Sequence, residues 1–489
     1  MNTERTTVTG MLPEQQTGAQ VQARRARRRA IVAVVPKAWL ALMAALTMVV
    51  LEGAFRKWAS PFEEGIGRNL MYFSKDIIFA CLVFFPRRGQ PSNALRVFEN
   101  WLWPGCILVA LGSLVSSLHS LNPVGALLTA RATILLPILA LLAAPRLAGL
   151  PLRHVALLLA LFTVLNFALG GEQNHLPPDN ILNRYSQANA DVVAAEDYGV
   201  RATGTFSYIT GMSIISSVGI WAGLVLMGLA QKQWQRIAAW VTLAAAVGCG
   251  LASVSRAPIV VGLAMAVGWL FLSRQNLSSL TRGLVAGSFC VIVATGIGIT
   301  PVFSELGVGL AQRVETSPDA FNERAFGQFG EIVAVSQMAP LGNGFGAHQV
   351  GGYFAAKGDM DLETIESPLP RMILETGVVG LIGYLVVCAG ALLALQRAKR
   401  EAQTVGMRAA LLATQILLLP MFYGNLIFDH TASAFVWMIF TAVMAAGEMA
   451  TKADTLEVKG KIGRPQAREW RPEQAPHSVT ARQKVEDAA

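Results

Sequence analysis

Apolar residues run through this chain in long blocks, not in the alternation of strands or the narrow stripes of surface helices. Each block is long enough, at ~17–25 residues, to cross a ~30 Å hydrocarbon core as a helix. About twelve such spans are predicted by hydropathy. They fall near 37–54, 70–86, 101–119, 124–144, 151–170, 205–229, 236–253, 257–272, 283–303, 371–395, 408–428 and 432–448. The second is short and carries Lys75 and Asp76. Between spans the chain breaks into short polar connections, with two exceptions, 171–204 and 304–370. Long connections of this kind are usually functional. The fold class expected is an all-α polytopic integral membrane protein. It divides into a basic tail over 1–36, one transmembrane domain over 37–448 and a polar, disordered tail over 449–489.

Composition strengthens this reading. Hydrophobic residues make up 53% and charged residues 15% of the chain, against ~25% charge in soluble proteins. The residues ahead of the first span are polar and end in "RRARRR", with no short apolar core and cleavage site. The first span is therefore expected to act as an uncleaved anchor. A net charge of +9 would suit nucleic acid if it were clustered. Instead Lys and Arg gather in alternate connections, "PRRGQPSNALR", "PRLAGLPLR", "QKQWQR", "SRQNLSSLTR" and "QRAKREAQTVGMR", while "HSLN" and "FDHTAS" carry none. This is the positive-inside pattern, and it puts both termini in the cytoplasm. It gives no reason to expect a nucleic-acid partner. The five cysteines all fall in apolar runs and are expected to be small buried hydrophobes.

Charges at membrane depth are costly and each needs a partner or a role. In "LEGAFRKW", Glu52 and Arg56 are spaced i, i+4 and are expected to pair, with Lys57 and Trp58 as an interface anchor. Arg201 stands just before a span in "YGVRATGTFSYITGM". Arg256 lies in a very short outer turn, "SVSRAPIVVGL", with Pro258 at a helix start. Arg324 opens "NERAFGQFGEIVAVSQMA", an expected amphipathic helix on which Arg324, Gln328 and Glu331 share a face. Converging, these arginines would form a strong anion site, since forked guanidinium donors match phosphate oxygens. The spacing alone fits equally well with unrelated arginines reaching to lipid headgroups.

A last constellation is "ESPLPRMILETGVVGLIGYL". Ser367 is a good N-cap and Pro368 a good first helical residue. Arg371 and Glu375 then fall i, i+4 and are expected to neutralise each other. Glu366 is left outside the cap, facing the outer basin, or else it continues the acidic run of Asp359, Asp361 and Glu363. Among the histidines only His348, beside the turn "PLGNGFGAHQVGG", is kept as a catalytic candidate; no two are spaced as metal ligands on one helix.

Together these patches resemble the O-antigen ligase and Wzy-type polysaccharide polymerase superfamily. The resemblance rests on "RATGTFSYITGM", "SVSRAPIVVGL", "NERAFGQFGEIVAVSQMAPLGNGFG" and "ESPLPRMILETGVVGLIGYL", in that order; "LEGAFRKW" and "SKD" are similar to a subgroup linked with exopolysaccharide synthesis. It implies a GT-C-like membrane fold with a long outer loop before the tenth span. It also implies a metal-independent, inverting glycosyltransferase with no cofactor. The donor and acceptor would be polyprenyl-diphosphate-linked glycans at the outer face of the bacterial cytoplasmic membrane. Membrane lipids and chain-length or export proteins are the implied partners. Arg201, Arg256 and Arg324 would hold the diphosphate. Glu366, Arg371 and Glu375 would serve the acceptor, with His348 and Arg56 as secondary candidates. Ligases of the superfamily commonly carry a histidine where this chain has Glu366-Ser367, which tilts the expectation toward a polymerase. A ligase using a lipid or protein acceptor is the near alternative. A transporter is the distant one, and the lack of an internal repeat weighs against it.

Overall fold

The computed structural model describes residues 37–59, 65–88, 90–186, 194–195, 199–255, 257–273, 327–347, 367–423 and 429–462. It is a bundle of helices: α1 (Lys37–Trp58), α2 (Gly65–Cys81), α3 (Asn93–Ser117), α4 (Pro123–Ala130), a π-helical turn (Arg131–Leu135) and α5 (Leu136–Ala143). There follow α6 (Leu152–His175), α7 (Ile209–Leu229), α8 (Gln233–Ala252), α9 (Ala257–Ser273), α10 (Gln328–Met338), α11 (Pro368–Glu401), α12 (Val405–Tyr423) and α13 (His430–Ile462). The only strands among the described residues are Ala194–Ala195 and Gly199–Val200, one short antiparallel pair.

Nine stretches among the described residues are long and apolar enough to cross a membrane, including Pro123–Arg146 as one continuous unit. The predicted span 257–272 is a shorter apolar helix, Ala257–Phe271, and 283–303 lies outside the described residues. The predicted span 70–86 overlaps α2, a helix of 17 residues that is not one of the nine. Two boundaries shift. α6 continues to His175, so the first long connection starts later than 171. α13 continues to Ile462, past the expected start of the tail at 449, through residues such as Ala453, Leu456 and Glu457 that favour helix.

Two helices are enclosed nearly all round, α7 and the first half of α13, as expected of helices apolar on every side. Around α13, Phe98, Phe422, Trp437 and Phe440 form one aromatic cluster, with Phe98 and Phe440 centroids 4.8 Å apart. Isolated polar tips are satisfied between helices: Trp221 Nε1 donates to Thr414 Oγ1 at 2.9 Å, and Tyr384 Oη to the Phe422 carbonyl at 2.6 Å.

Between α3 and α11 the seam is made of small residues. A Cβ on Gly112 would lie 2.2 Å from the Thr376 carbonyl oxygen, and one on Gly383 would lie 2.6 Å from the Gly105 carbonyl oxygen. Lipid offers no hydrophobic drive for helix pairing, so close backbone approach through small residues supplies the contact energy.

α11 is broken at Gly377, whose φ of 67° lies in the left-handed region that glycine adopts without strain. Its loosened backbone groups are taken up by the "PLGNG" loop after α10. Val378 N–H donates to the Pro340 carbonyl at 2.9 Å, and Asn343 N–H donates to the Leu374 carbonyl at 2.7 Å. The loop is also fastened to the α3–α4 connection: Phe345 N–H donates to Ser120 O at 2.9 Å, Asn122 N–H to Phe345 O at 3.1 Å, and Gly344 N–H to Ser116 Oγ at 3.0 Å.

Gly112→Val is expected to lower the thermal stability of the detergent-purified protein by at least the ~1–3 kcal/mol typical of overpacking. Gly171 on α6 has nothing within 4 Å of a built Cβ. Gly171→Ala is therefore expected to raise stability by ~0.5–1 kcal/mol, the gain from replacing a mid-helix glycine. Melting curves of the two variants check both signs.

Candidate functional site

The "RATGTF" stretch forms a tight turn ahead of α7, held by α6 and α1. Gln173 on α6 accepts through Oε1 from Thr203 N–H at 3.0 Å and Gly204 N–H at 2.7 Å. Asn166, also on α6, accepts from Thr205 N–H at 2.8 Å. Thr205 Oγ1 donates to the Val50 carbonyl of α1 at 2.7 Å. Gly204 has φ of 58°, and a Cβ there would meet Asn166 Oδ1 at 2.2 Å. α1 passes so close that a Cβ on Gly53 would lie 2.3 Å from Ser207 N. Here glycine is needed twice, once for conformation and once for approach.

From this turn Arg201 Nε donates to the Ser253 carbonyl at 3.1 Å, while Ala202 N–H donates to the Ala252 carbonyl at 2.9 Å. Asn174 Nδ2 adds a bond to the Val200 carbonyl at 3.0 Å. The partner segment is the turn between α8 and α9, where Val254 has φ of 51°, a costly conformation for a β-branched residue. Two of the sequence patches, "RATGTF" and "SVSR", are thus joined, by the Arg201 side chain to Ser253 and by a backbone bond to the adjoining Ala252. Arg256, Arg324, His348 and Glu366 lie outside the described residues.

The pairing of Glu52 with Arg56 is observed, at 2.8 Å, and Arg56 Nη1 also donates to Ser207 Oγ at 3.2 Å. Lys57 departs from the expected interface anchor. It is 1% exposed and donates inward to Thr203 Oγ1 at 2.9 Å and the Gly204 carbonyl at 2.7 Å. The turn's carbonyl and hydroxyl face α1, and Lys57 supplies the closest donor to both. Trp58 keeps the anchoring role, with Nε1 donating to the Ile181 carbonyl at 3.0 Å.

Further charges, within the packed helices, form a buried ionic network. Lys75 on α2 is 0% exposed and pairs with the second oxygen of Glu52. Asp76 takes a forked pair from Arg131, at 2.6 Å from Nε and 2.8 Å from Nη2. Arg131 Nη1 reaches Ser433 Oγ at 3.0 Å and lies 3.3 Å from His430 Nδ1, and Nη2 donates to the His430 carbonyl at 3.2 Å. Asp429 caps the same helix start, accepting from Thr431 N–H at 2.8 Å, and bonds to Thr210 Oγ1 of α7. Tyr72 packs among them: Lys75 Nζ lies 4.5 Å and Arg56 Cζ 5.1 Å from its ring centre, and His430 stacks edge-on at 5.0 Å. Arg131 is not among the residues singled out from the sequence, although a lone arginine inside an apolar span is itself the signal for it. Its partners give no such signal, because they come from helices distant in sequence.

α11 starts at Pro368 with Ser367 as N-cap, as the sequence predicts, although the serine side chain makes no capping bond. Glu375 is 0% exposed. Spacing assigns it to Arg371, whose charge acts on it; its carboxylate also accepts from Thr129 Oγ1 of α4. Its Oε1 has no hydrogen-bond partner among the described residues. Arg371 is buried in the same half-helix at 7% exposure. Of the cysteines, Cys106, Cys249 and Cys388 are buried and Cys81 is exposed; Cys290 lies outside the described residues.

Chemically, the network around Arg131 is internally matched, whereas the Arg201 turn is partly exposed and lies where successive antiparallel spans bring their connections together. Asp76→Ala is expected to destabilise the protein by ~3–5 kcal/mol, because it leaves Arg131 buried without its carboxylate. Arg397→Ala removes an exposed pair, 2.6 Å from Glu401, and is expected to cost ~0–1 kcal/mol. Unfolding of both variants in the same detergent measures the difference. The sequence matches no protein-family model and no curated protein.

Proposed function

We propose that the chain is a polysaccharide polymerase of the cytoplasmic membrane's outer face. It joins polyprenyl-diphosphate-linked repeat units into an exopolysaccharide or O-antigen-like chain. The observation that carries this reading is the direct bonding of the Arg201 turn to the Ser253 turn, which brings together two patches that the resemblance assigns to one diphosphate site. The docking of "PLGNG" on the α11 break supports it, since it gathers the third and fourth patches in the same way.

In the reaction, an acceptor sugar hydroxyl attacks the anomeric carbon of the donor. The bond from that carbon to the phosphate oxygen breaks, and the electron pair leaves with the lipid diphosphate. Arg201, Arg256 and Arg324 stabilise the charge that develops there, as fixed donors aimed at a leaving oxyanion do. Glu366 orients the hydroxyl and takes its proton as the bond forms. Arg371 and Glu375 hold the half-helix that presents Glu366. A single displacement inverts the anomeric centre.

A second reading has one specific observation in its favour. The buried network of Glu52, Lys75, Asp76 and Arg131 is the kind of intramembrane charge that transporters use. Against it, these groups are occupied with one another.

Arg201→Ala and Arg256→Ala are expected to lower polymer formation ~10²–10³-fold, the range for losing one oxyanion donor, with insertion unchanged. Glu366→Gln is expected to be far more damaging than Asp361→Asn. The assay is purified protein in detergent with lipid-diphosphate repeat units, read by product size. Chain lengthening without a gradient supports the enzyme over the transporter. Extension only when a different acceptor is added turns the assignment to a ligase. No product under either condition sinks the enzyme reading.

A further inference from the structure

The connection from α2 to α3 is fastened to the one from α5 to α6. Arg88 N–H donates to the Pro145 carbonyl at 3.1 Å, and Arg146 Nε donates to the Phe85 carbonyl at 2.9 Å. Arg146 Nη1 also donates to the Leu142 carbonyl. The guanidinium of Arg146 is thus fixed from two sides, and its Nη2 has no bond among the described residues. Leu152 starts α6 close by in the chain, and Gln173, near the far end of that helix, holds the Arg201 turn. At 1.5 Å per residue the two regions stand roughly 30 Å apart, at opposite ends of the bundle.

Arg87 is exposed and close enough that its charge acts on Arg146. An arginine keeps its charge in any surroundings that a protein offers. Arg146 cannot swing away from its neighbour, because two carbonyls hold it. An anion set against both guanidiniums relieves their repulsion. The same stretch presents Phe84, which is 87% exposed. It stands at the end of the short turn Leu82–Phe84 that follows α2. A bare aromatic ring is costly in water and favourable among acyl chains. Apolar ring and fixed cations therefore stand side by side where the bundle meets the membrane surface.

We infer that Phe84, Arg87 and Arg146 form a binding site for an anionic phospholipid, with its phosphate on the two guanidiniums and an acyl chain along the Phe84 ring. Forked guanidinium donors match phosphate oxygens. The ring selects a lipid over a free phosphate, which has nothing to lay against it. The site lies among the connections that the charge pattern gives to the cytoplasm, so its ligand belongs to the inner leaflet, where anionic lipids attract basic segments. A lipid held there braces the α2–α3 connection against the α5–α6 connection. It does not depend on what the Arg201 end of the bundle does.

The test is lipid binding to the full chain in detergent, titrated with phosphatidylglycerol or phosphatidylcholine and read by native mass spectrometry. The wild type is expected to bind phosphatidylglycerol more tightly. Arg87→Gln is expected to weaken phosphatidylglycerol binding about fivefold, the size for one basic residue at an anionic surface, and to leave phosphatidylcholine unchanged. Phe84→Ser is expected to weaken both lipids. Arg236→Gln removes an exposed arginine near the start of α8, at the same end of the bundle, and is expected to change neither.

Arg146→Gln is expected to lose at least as much phosphatidylglycerol binding as Arg87→Gln. Where Arg146→Gln fails to fold, because the Phe85 and Leu142 carbonyls lose their donor, the Arg87 comparison decides the matter by itself. An equal loss in Arg87→Gln and Arg236→Gln means a diffuse attraction to a basic surface and overturns the site. A wild type that binds the two lipids alike overturns it too. Glycerol phosphate, the head group without its chains, is the last arm. Displacement of the lipid by equimolar glycerol phosphate overturns the lipid assignment, and failure to displace it supports the assignment.

Discussion

The Arg131–Asp76 pair is the contact on which the packing of α2 against the start of α13 depends. A guanidinium inside an apolar helix has no water to turn to, so each of its donors must be met by the protein. Asp76 meets two of them in a fork, and Ser433 with the His430 carbonyl meets others. That requirement pins three elements to one another: α2, the π-helical turn and the start of α13. Through Lys75 and Glu52 it extends to α1, and through Arg56 to Ser207 beside the "RATGTF" turn. Through the neighbouring residues Lys75 and Asp76, polar contacts therefore connect the Arg131 pair to the edge of the "RATGTF" turn.

The same rule shapes the α11 side of the bundle. Breaking α11 at Gly377 frees backbone groups that lipid cannot satisfy, and the "PLGNG" loop satisfies them. Glycines recur on that side because backbone lies against backbone. A Cβ on Gly125 would fall 1.9 Å from the Gly346 carbonyl oxygen, and one on Gly346 would fall 2.0 Å from Ala126 N. The two sides differ in kind. One is organised by charge pairs and a capped turn, the other by close backbone contact around a broken helix.

Much of this was legible in the sequence, for reasons that can be named. The spans showed because a bilayer demands a minimum apolar length, and Glu52 with Arg56 showed because i, i+4 neighbours share a helix face. Pro368 announced the start of α11. What was hidden depended on which helices become neighbours. Lys57 reads as an interface residue until α1 is seen against residues 203 and 204. Glu375 reads as a partner for Arg371 alone, and its second partner, Thr129, stands on a helix distant in sequence. Lys75 and Asp76 made the second span doubtful for the same reason: their partners lie on other helices. Only Arg131 gave a signal in its own right, being charged where everything around it is apolar.

The π-helical turn carries one more consequence. Leu136 N–H bonds to the carbonyl of Arg131, a wider loop than an α-helix uses, so the span holds one residue more than its height requires. Above and below this turn, the two helical segments are offset in phase by roughly the angle of a single residue. Thr129 is thereby aimed at α11 and Arg131 at α2 and α13, without moving either end of the span. A lineage could gain such a polar junction by inserting a single codon, leaving the outer packing surfaces of the rod in register with their old neighbours.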